Sequence, residues 1–241
     1  MHKRGLQMLR NLVKSLYLRA WVLPRIHRFY GTLSVADTFQ HIYRTRAWGG
    51  NGEIFSSGLG SRGSIADLYC AFVIKFIRDH QIRSVVDLGC GDFAVGRRIV
   101  EATGISYTGL DVVHDLIEHH KHTFPRVSFS CVDITQGPLP SAELCLIRQV
   151  LQHLSNGEIA KVLGNLGGFS RILISEDVPV DPKSFTRDKV HGPDVRAYYG
   201  SGVYVDRPPF SMQIAESWSL PFSDTSHSIL RTVLLDQVQC E

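Results

Sequence analysis

Residues 84–93 read Ser-Val-Val-Asp-Leu-Gly-Cys-Gly-Asp-Phe, and this stretch decides the fold. Val85, Val86 and Leu88 give the apolar content of a short buried strand. Gly89-Cys90-Gly91 then makes a tight turn, and Val95 to Thr103 reads as the helix after it. A strand, a glycine turn and a helix together bring backbone N–H groups close to a ligand. The start of the helix favours a carboxylate or phosphate there. Asp87 stands two residues ahead of the first glycine, at the strand's end. An acid in that place suits a ligand carrying an ammonium or a sulfonium better than one carrying a pyrophosphate.

Downstream, strand and helix patterns alternate. Ser106–Val112 reads as a second strand ending near Asp111, followed by a helix from Asp115 to Thr123 that Pro125 stops. Val127–Val132 is a third strand ending at Asp133, and Leu144–Val150 a fourth. Asn156–Leu166 reads as a helix, Arg171–Ser175 as a fifth strand and Ile229–Leu235 as a final one. This alternation predicts an α/β fold, a mostly parallel central sheet with helices on both faces. Ligands bind such sheets at the strands' carboxyl ends, where the strand order reverses. No internal repeat is visible, so one domain is expected after an N-terminal arm.

Upstream, Ser64–Gln81 places Ile65, Leu68, Phe72, Phe76 and Ile77 on one helical face. Ser64 and Asp67 have the spacing of a capping box, with Asp in place of the usual Glu. The glycine–serine loop before them, residues 56–64, is either a flexible linker or an anion-binding turn. Val35 to Arg46 reads as a short helix ending near Trp48-Gly49-Gly50. Residues 5–23 have helical periodicity, with Leu6, Leu9, Leu12, Val13, Leu16 and Tyr17 on one face, and Pro24 is expected to stop that helix.

Charge divides the chain. Residues 1–36 carry seven Lys/Arg and no acid, so the total of +3 leaves −4 for the remainder. The basic character belongs to the arm, which gives no general case for nucleic-acid binding. A basic amphipathic arm fits either an anionic membrane surface, through residues 1–30, or docking on the domain. The expected division is an arm, 1–36, and a domain, 37–241, with a lid-like insertion at about 179–212. Length and an apolar content of 44% support one domain with a full core. The five cysteines, at 70, 90, 131, 145 and 240, form no C-x-x-C pair. They read as small buried hydrophobes in a reducing compartment, with no metal site. No apolar run reaches the length of a membrane span, and the N-terminus lacks the apolar core of a signal peptide. A cytoplasmic location follows, with contact at the inner membrane surface as the arm's alternative.

Three strand ends carry acids. Asp111, twenty residues beyond Gly91, can accept both hydroxyls of a ribose. Asp133 can accept from an adenine amine, with Ile134 against the ring. The ordered trio resembles the class I S-adenosylmethionine-dependent methyltransferases over roughly residues 60–178. The resemblance implies a Rossmann-like methyltransferase fold and S-adenosyl-L-methionine as cofactor. It implies that Asp87, Gly89, Cys90 and Gly91 hold the methionine part, Asp111 and Val112 the ribose, and Asp133 and Ile134 the adenine. The stretch Ile147-Arg-Gln-Val-Leu-Gln-His-Leu154 is similar to the family's segment after strand 4, which borders the methyl group and brings Arg148 and Gln149 to the cofactor. Together with Trp48-Gly49 and Ser57-Gly58-x-Gly60-Ser61, the pattern resembles a bacterial subgroup of these enzymes. The Asn/Asp-Pro-Pro-Tyr/Phe pattern of many enzymes that methylate bases or amides is absent after strand 4. O-methylation of a small molecule or glycan is therefore expected over N-methylation.

Two alternatives stand beside this reading. Gly89-Cys-Gly91-Asp-Phe-Ala94 nearly matches the nicotinamide-binding G-x-G-x-x-G/A, as in an NAD(P)-dependent oxidoreductase, although no Tyr-x-x-x-Lys pair is present. A non-catalytic membrane-associated protein on the same fold is the other. His153, Glu176, Asp177 and His191 are the candidate bases by position. His114, His119, His120 and His122 read as histidines on a solvated helix. Segment 179–212, with Arg196, Tyr198, Tyr199, Tyr204 and Arg207, suits a sugar, phenol or anionic acceptor.

Overall fold

Five strands run parallel through the middle of the molecule: β1 (Ser84–Leu88), β2 (Ser106–Asp111), β3 (Ser128–Cys131), β4 (Ala142–Arg148) and β5 (Phe169–Pro179). The computed structural model describes residues 22–50, 52–221 and 228–237. The short pair β6 (Ser184–Phe185) and β7 (Ser201–Gly202) stands apart. β8 (Glu216–Pro221) and β9 (Ser228–Asp236) complete the sheet antiparallel, in the order β3-β2-β1-β4-β5-β9-β8. The order reverses between β1 and β4, so their carboxyl ends open the crevice where such sheets bind ligands.

Both faces of the sheet are buried, and the period of two sorts the side chains. Val86, Leu88, Cys145 and Ile147 enter one core with helices α1 (Leu23–Tyr30), α2 (Val35–Arg44) and α6 (Asn156–Gly164). Val85, Leu144 and Leu146 enter the other with α3 (Gly63–Asp79) and α4 (Ala94–Thr103). Helix α5 (His114–Thr123) splits its face, Leu116 to the first core and Ile117 to the second.

Several expectations change. Pro24 does not end a helix; it sits in the first turn of α1, where its missing N–H has no partner to lose. The helix expected over 5–23 falls largely outside the described residues, and with it any membrane contact of the arm. Among the described residues no helix is long and apolar enough to cross a membrane. α2 runs across the 36/37 boundary drawn from charge. α3 starts at Gly63, one residue early for the Ser64–Asp67 box, and Asp67 pairs with Arg98 instead. Cys131 is exposed at the end of β3, while Cys70, Cys90 and Cys145 are buried. β8 escapes the sequence reading because only Trp218 and Leu220 alternate against polar neighbours; Trp218 packs on Phe72 of α3.

β5 runs to Pro179, four residues past its expected end, because β9 pairs along it as far as Pro179↔Ser228. The long segment that follows is therefore launched beyond the crevice. It packs on α1 and on the turn after β4: Asp194 and Tyr199 bond His27, and Arg196 bonds the carbonyls of Leu151, Gln152 and Leu154. Lys189, Asp194, Arg196 and Ser201 are buried there.

Candidate active site

The glycine turn needs its glycines for close approach. Gly89 has φ +77°, and a Cβ on it would lie 2.5 Å from Val150 Cγ2. Gly91 has φ +54°, and a Cβ there would strike Ser57 Oγ. The turn does not present a row of free N–H groups, as the sequence suggests. Gly89 and Cys90 donate to Leu110 O, Gly91 to Asp111 Oδ2, and Asp92 to Ser57 Oγ. The Asp92 carboxylate caps α4 through Ala94 N and accepts from Ser57 N. What the turn offers is a close, side-chain-free wall beside two buried carboxylates.

Those carboxylates are Asp87 and Asp111, 8% and 7% exposed. Asp87 Oδ2 accepts from Tyr107 Oη at 2.5 Å. Burial pushes Asp87 up to about 6 against that bond and the charge of Arg148. Asp111 accepts from Gly91 N at 3.0 Å and Val113 N at 3.1 Å, one bond on each oxygen. Burial likewise raises it to about 6. A carboxylate has about four acceptor positions, so Asp111 keeps two after these bonds. Asp133 takes both bonds from Thr135 on Oδ1. All three line one cleft with Ile134, Val112, Gly89, Cys90 and Gly91, as do Arg148 and Gln149. The cleft encloses about 1010 Å³, open solvent at its mouth included. The sequence-derived cofactor residues thus come together on one wall.

Arg148 donates to Gly60 O and lies over the Tyr69 ring at 4.8 Å. Gln149 has φ +54° and its side chain packs against Gly60. Across the cleft, Ser57 Oγ shares a 2.7 Å bond with Tyr43 Oη, and Arg62 pairs with Asp92 at 3.1 Å. The glycine–serine loop is thereby stapled to the glycine turn through the chain's own carboxylate. At the far end the wall turns apolar and aromatic: Val35, Phe39, Trp48, Val150, His153 and Leu154. Val35, Phe39 and Tyr43 recur every four residues on α2, a spacing that could have flagged this face. Tyr107 and the Ser57–Asp92 staple carried no local signal, because their partners lie 20 and 35 residues away.

The candidate bases separate. His153 lines the cleft, with the Trp48 ring at 4.8 Å and tilted 46° to it. Its Nδ1 faces Gly192 O at 3.2 Å, and a carbonyl only accepts, so Nδ1 carries the proton and Nε2 is the acceptor. Burial, with the charge of Lys189, lowers its pKa to about 3, so it is neutral. His191 sits elsewhere: Nδ1 meets Glu158 Oε1 at 2.6 Å and Nε2 meets Leu33 O at 3.2 Å. Two acceptors call for imidazolium, and the bond to Glu158 raises its pKa. Glu176 is 2% exposed and lies behind the cleft wall. Asp177 is on β5 and does not line the cleft either. No residue of 179–212 lines it, but the segment meets its aromatic end from behind, where Pro193 O accepts from Trp48 Nε1 and Gly192 O from His153 Nδ1. Arg207 flanks the Asp206–Arg231 pair, away from the cleft. The solvated-helix reading of the histidines fails at His120, which is 2% exposed and bonds Gly91 O at 2.7 Å. Among the described residues no group of His, Cys, Asp and Glu has the arrangement of a metal site.

Comparison with known proteins agrees with this geometry. A family model described as a methyltransferase domain matches residues 85–169, from β1 to the start of β5. Magnesium protoporphyrin IX methyltransferase from Synechocystis, solved with bound S-adenosylhomocysteine, is 17% identical with a TM-score of 0.52, over 83% of this chain and 97% of that one. N-methyltransferase NodS from Bradyrhizobium japonicum, also with S-adenosylhomocysteine, is 13% identical with a TM-score of 0.54, over 81% of this chain and 98% of that one. At these identities the likeness carries the fold and no acceptor. No curated protein matches the sequence. Residues 85–169 thus match a methyltransferase domain, and the chain has the fold of the class I S-adenosylmethionine-dependent methyltransferases. The oxidoreductase alternative finds no support.

Proposed function

We propose that the protein methylates a hydroxyl oxygen on a small, neutral, ring-bearing acceptor seated against Val35, Phe39, Trp48 and His153. The observation that supports this is the character of the cleft's far end, aromatic and aliphatic with a neutral histidine. S-adenosylmethionine supplies a methyl group on a sulfonium, which an oxygen can attack in line. In this reading Asp87 and the Gly89–Gly91 wall hold the methionine part, Asp111 the ribose, and Asp133 with Ile134 the adenine. Arg148 and Gln149 fix the wall between the two halves. His153 Nε2, which Gln152 Nε2 reaches at 3.5 Å, orients the acceptor hydroxyl. The O–CH3 bond forms as the S–CH3 bond breaks to leave S-adenosylhomocysteine, and the hydroxyl proton passes to water, since with so low a pKa His153 is a weak proton acceptor. An amine would arrive as an ammonium, and among the described residues this end of the cleft has no carboxylate to receive it. The arginines expected to draw an anionic acceptor are bonded elsewhere.

The experiment is a screen of neutral phenols, apolar alcohols, neutral glycosides and amines with methyl-labelled cofactor. Hydroxyl acceptors are expected to be labelled. For the best of them, Trp48→Ala should lower kcat/KM about tenfold or more, through loss of one aromatic wall, with S-adenosylhomocysteine affinity held. Labelling of amines alone would overturn O-methylation, and full activity in Trp48→Ala would move the acceptor off this wall.

A further inference from the structure

We infer that Glu176 and Arg196 are positioning residues, a two-sided clamp that fixes Gln149, Val150 and His153 at the cleft wall. The inference builds on the acceptor wall proposed above, but its geometry stands apart from the acceptor's identity. After β4 the chain leaves the sheet at Gln149, at φ +54°, and makes a single turn over Leu151–His153. A one-turn segment leaves most of its backbone groups without partners of its own. Glu176 takes three successive N–H groups: Val150 at 3.1 Å and Leu151 at 2.8 Å on Oε1, Gln152 at 3.2 Å on Oε2. Arg196 takes the other end, donating to Leu151 O at 3.0 Å, Gln152 O at 3.1 Å and Leu154 O at 2.8 Å.

The polarity matches the peptide dipoles, with the carboxyl oxygens at the N–H end and the guanidinium at the C=O end. Arg196 has no donor to spare. Its remaining N–H groups go to Arg187 O at 3.0 Å and Asn156 Oδ1 at 2.9 Å, which uses all five. It is 0% exposed, so every one of these bonds is made out of water. Neither residue lines the cleft, so neither touches the reacting groups. Between them they hold the turn whose side chains do: Val150 against Gly89, and His153 against Trp48.

The test uses the full chain with S-adenosylhomocysteine as the probe. Glu176→Gln keeps the size of the side chain and sets an amide N–H₂ against a backbone donor. Amide exchange at 150–152 should then quicken about ten- to a hundredfold, while 144–147 in β4 keep their protection. The ring resonances of His153 should shift, and S-adenosylhomocysteine affinity should stay within about threefold. Glu176→Asp keeps the carboxyl group with shorter reach and should fall between Gln and wild type. If Glu176→Gln leaves 150–152 and His153 as in wild type, the clamp is overturned. If exchange quickens equally throughout β4 and β5, the residue serves general stability and the clamp is again overturned. Should Glu176→Gln not fold, Arg196→Lys is read the same way: loosening confined to the turn supports the clamp, and loss of protection in all strands overturns it. No readout needs an acceptor, so failure of the proposed acceptor class would be seen separately.

Discussion

Asp111 at the end of β2 and Glu176 near the end of β5 are both buried carboxyls with raised pKa, and the fold uses them in opposite ways. Asp111 accepts two backbone bonds and faces the cleft with acceptor positions left. Glu176, raised to about 8 by burial, accepts three backbone bonds and faces the turn it holds. The histidines divide the same way. His153 lines the cleft with Nδ1 on Gly192 O and only a long 3.5 Å contact from Gln152 Nε2 on Nε2, whereas His191 holds two short bonds inside the protein. A shifted pKa reports burial; a site for a ligand also needs an acceptor or donor that the protein has not already used.

The largest effect should come from breaking the structural side of this comparison. Arg196→Met keeps much of the volume and removes five hydrogen bonds, leaving four carbonyls and Asn156 Oδ1 without their donor. Removing one partner of a buried charged arrangement costs about 3–5 kcal/mol, and that loss is expected in urea unfolding. A loss under about 1 kcal/mol would place Arg196 among ordinary surface cations and dissolve the contrast.

Much of the acidic side of the cleft was legible because its residues lie at strand ends, and strand ends follow from local apolar runs. Asp87, Asp111 and Asp133 terminate three short patterns, and parallel pairing then brings them together without further information. The acceptor side was not legible in the same way. Segment 179–212 was expected over the cleft because β5 must point there. The pairing of β5 with β9 carries that strand four residues further, and this non-local fact redirects the segment. Arg196 looked like a free cation for an anionic substrate, since nothing local marks a residue whose partners lie at 151, 152 and 154. His120 misled for a like reason: its helix is mostly solvated, and only the tertiary approach of Gly91 buries that one ring.

pH should separate the two carboxyl types. Asp87 and Asp111 have a folded value of about 6 against an ordinary 3.8. Between those values the folded protein holds the extra protons, so these groups favour folding at low pH and that contribution is lost as pH rises through 6. Each shift corresponds to about 3 kcal/mol at most. In the proposed binding mode cofactor affinity runs the other way, because protonation takes acceptors from Asp87 and Asp111. S-adenosylhomocysteine affinity should therefore fall as pH drops below about 6, by up to tenfold per pH unit for each carboxyl. Glu176 shares the sign for stability, over a window from 4.5 to about 8, but does not meet the ligand. Calorimetry placing the affinity midpoint near 8 would assign the ligand effect to Glu176 and reverse the comparison.

The smallest expected effect concerns the staple across the cleft mouth. Ser57 Oγ accepts from Asp92 N at 2.8 Å and shares a 2.7 Å bond with Tyr43 Oη, while Ser57 N donates to Asp92 Oδ2 at 2.9 Å. Ser57→Ala removes the hydroxyl bonds and keeps the backbone one. Hydrogen bonds of this kind contribute about 0.5–1.5 kcal/mol each, and a half-exposed loop recovers part of that from water. Global stability should therefore change little. The loop from Ser57 to Ser61 lines the cleft beside Gly91, so a ligand leaving on that side must part it from the glycine turn. Weakening the staple then lowers the opening barrier by roughly the lost bond energy, which is about a three- to tenfold faster dissociation of S-adenosylhomocysteine in stopped-flow. An unchanged dissociation rate would mean that the ligand leaves past α2 instead, and that the aromatic end of the cleft is its door as well as its wall.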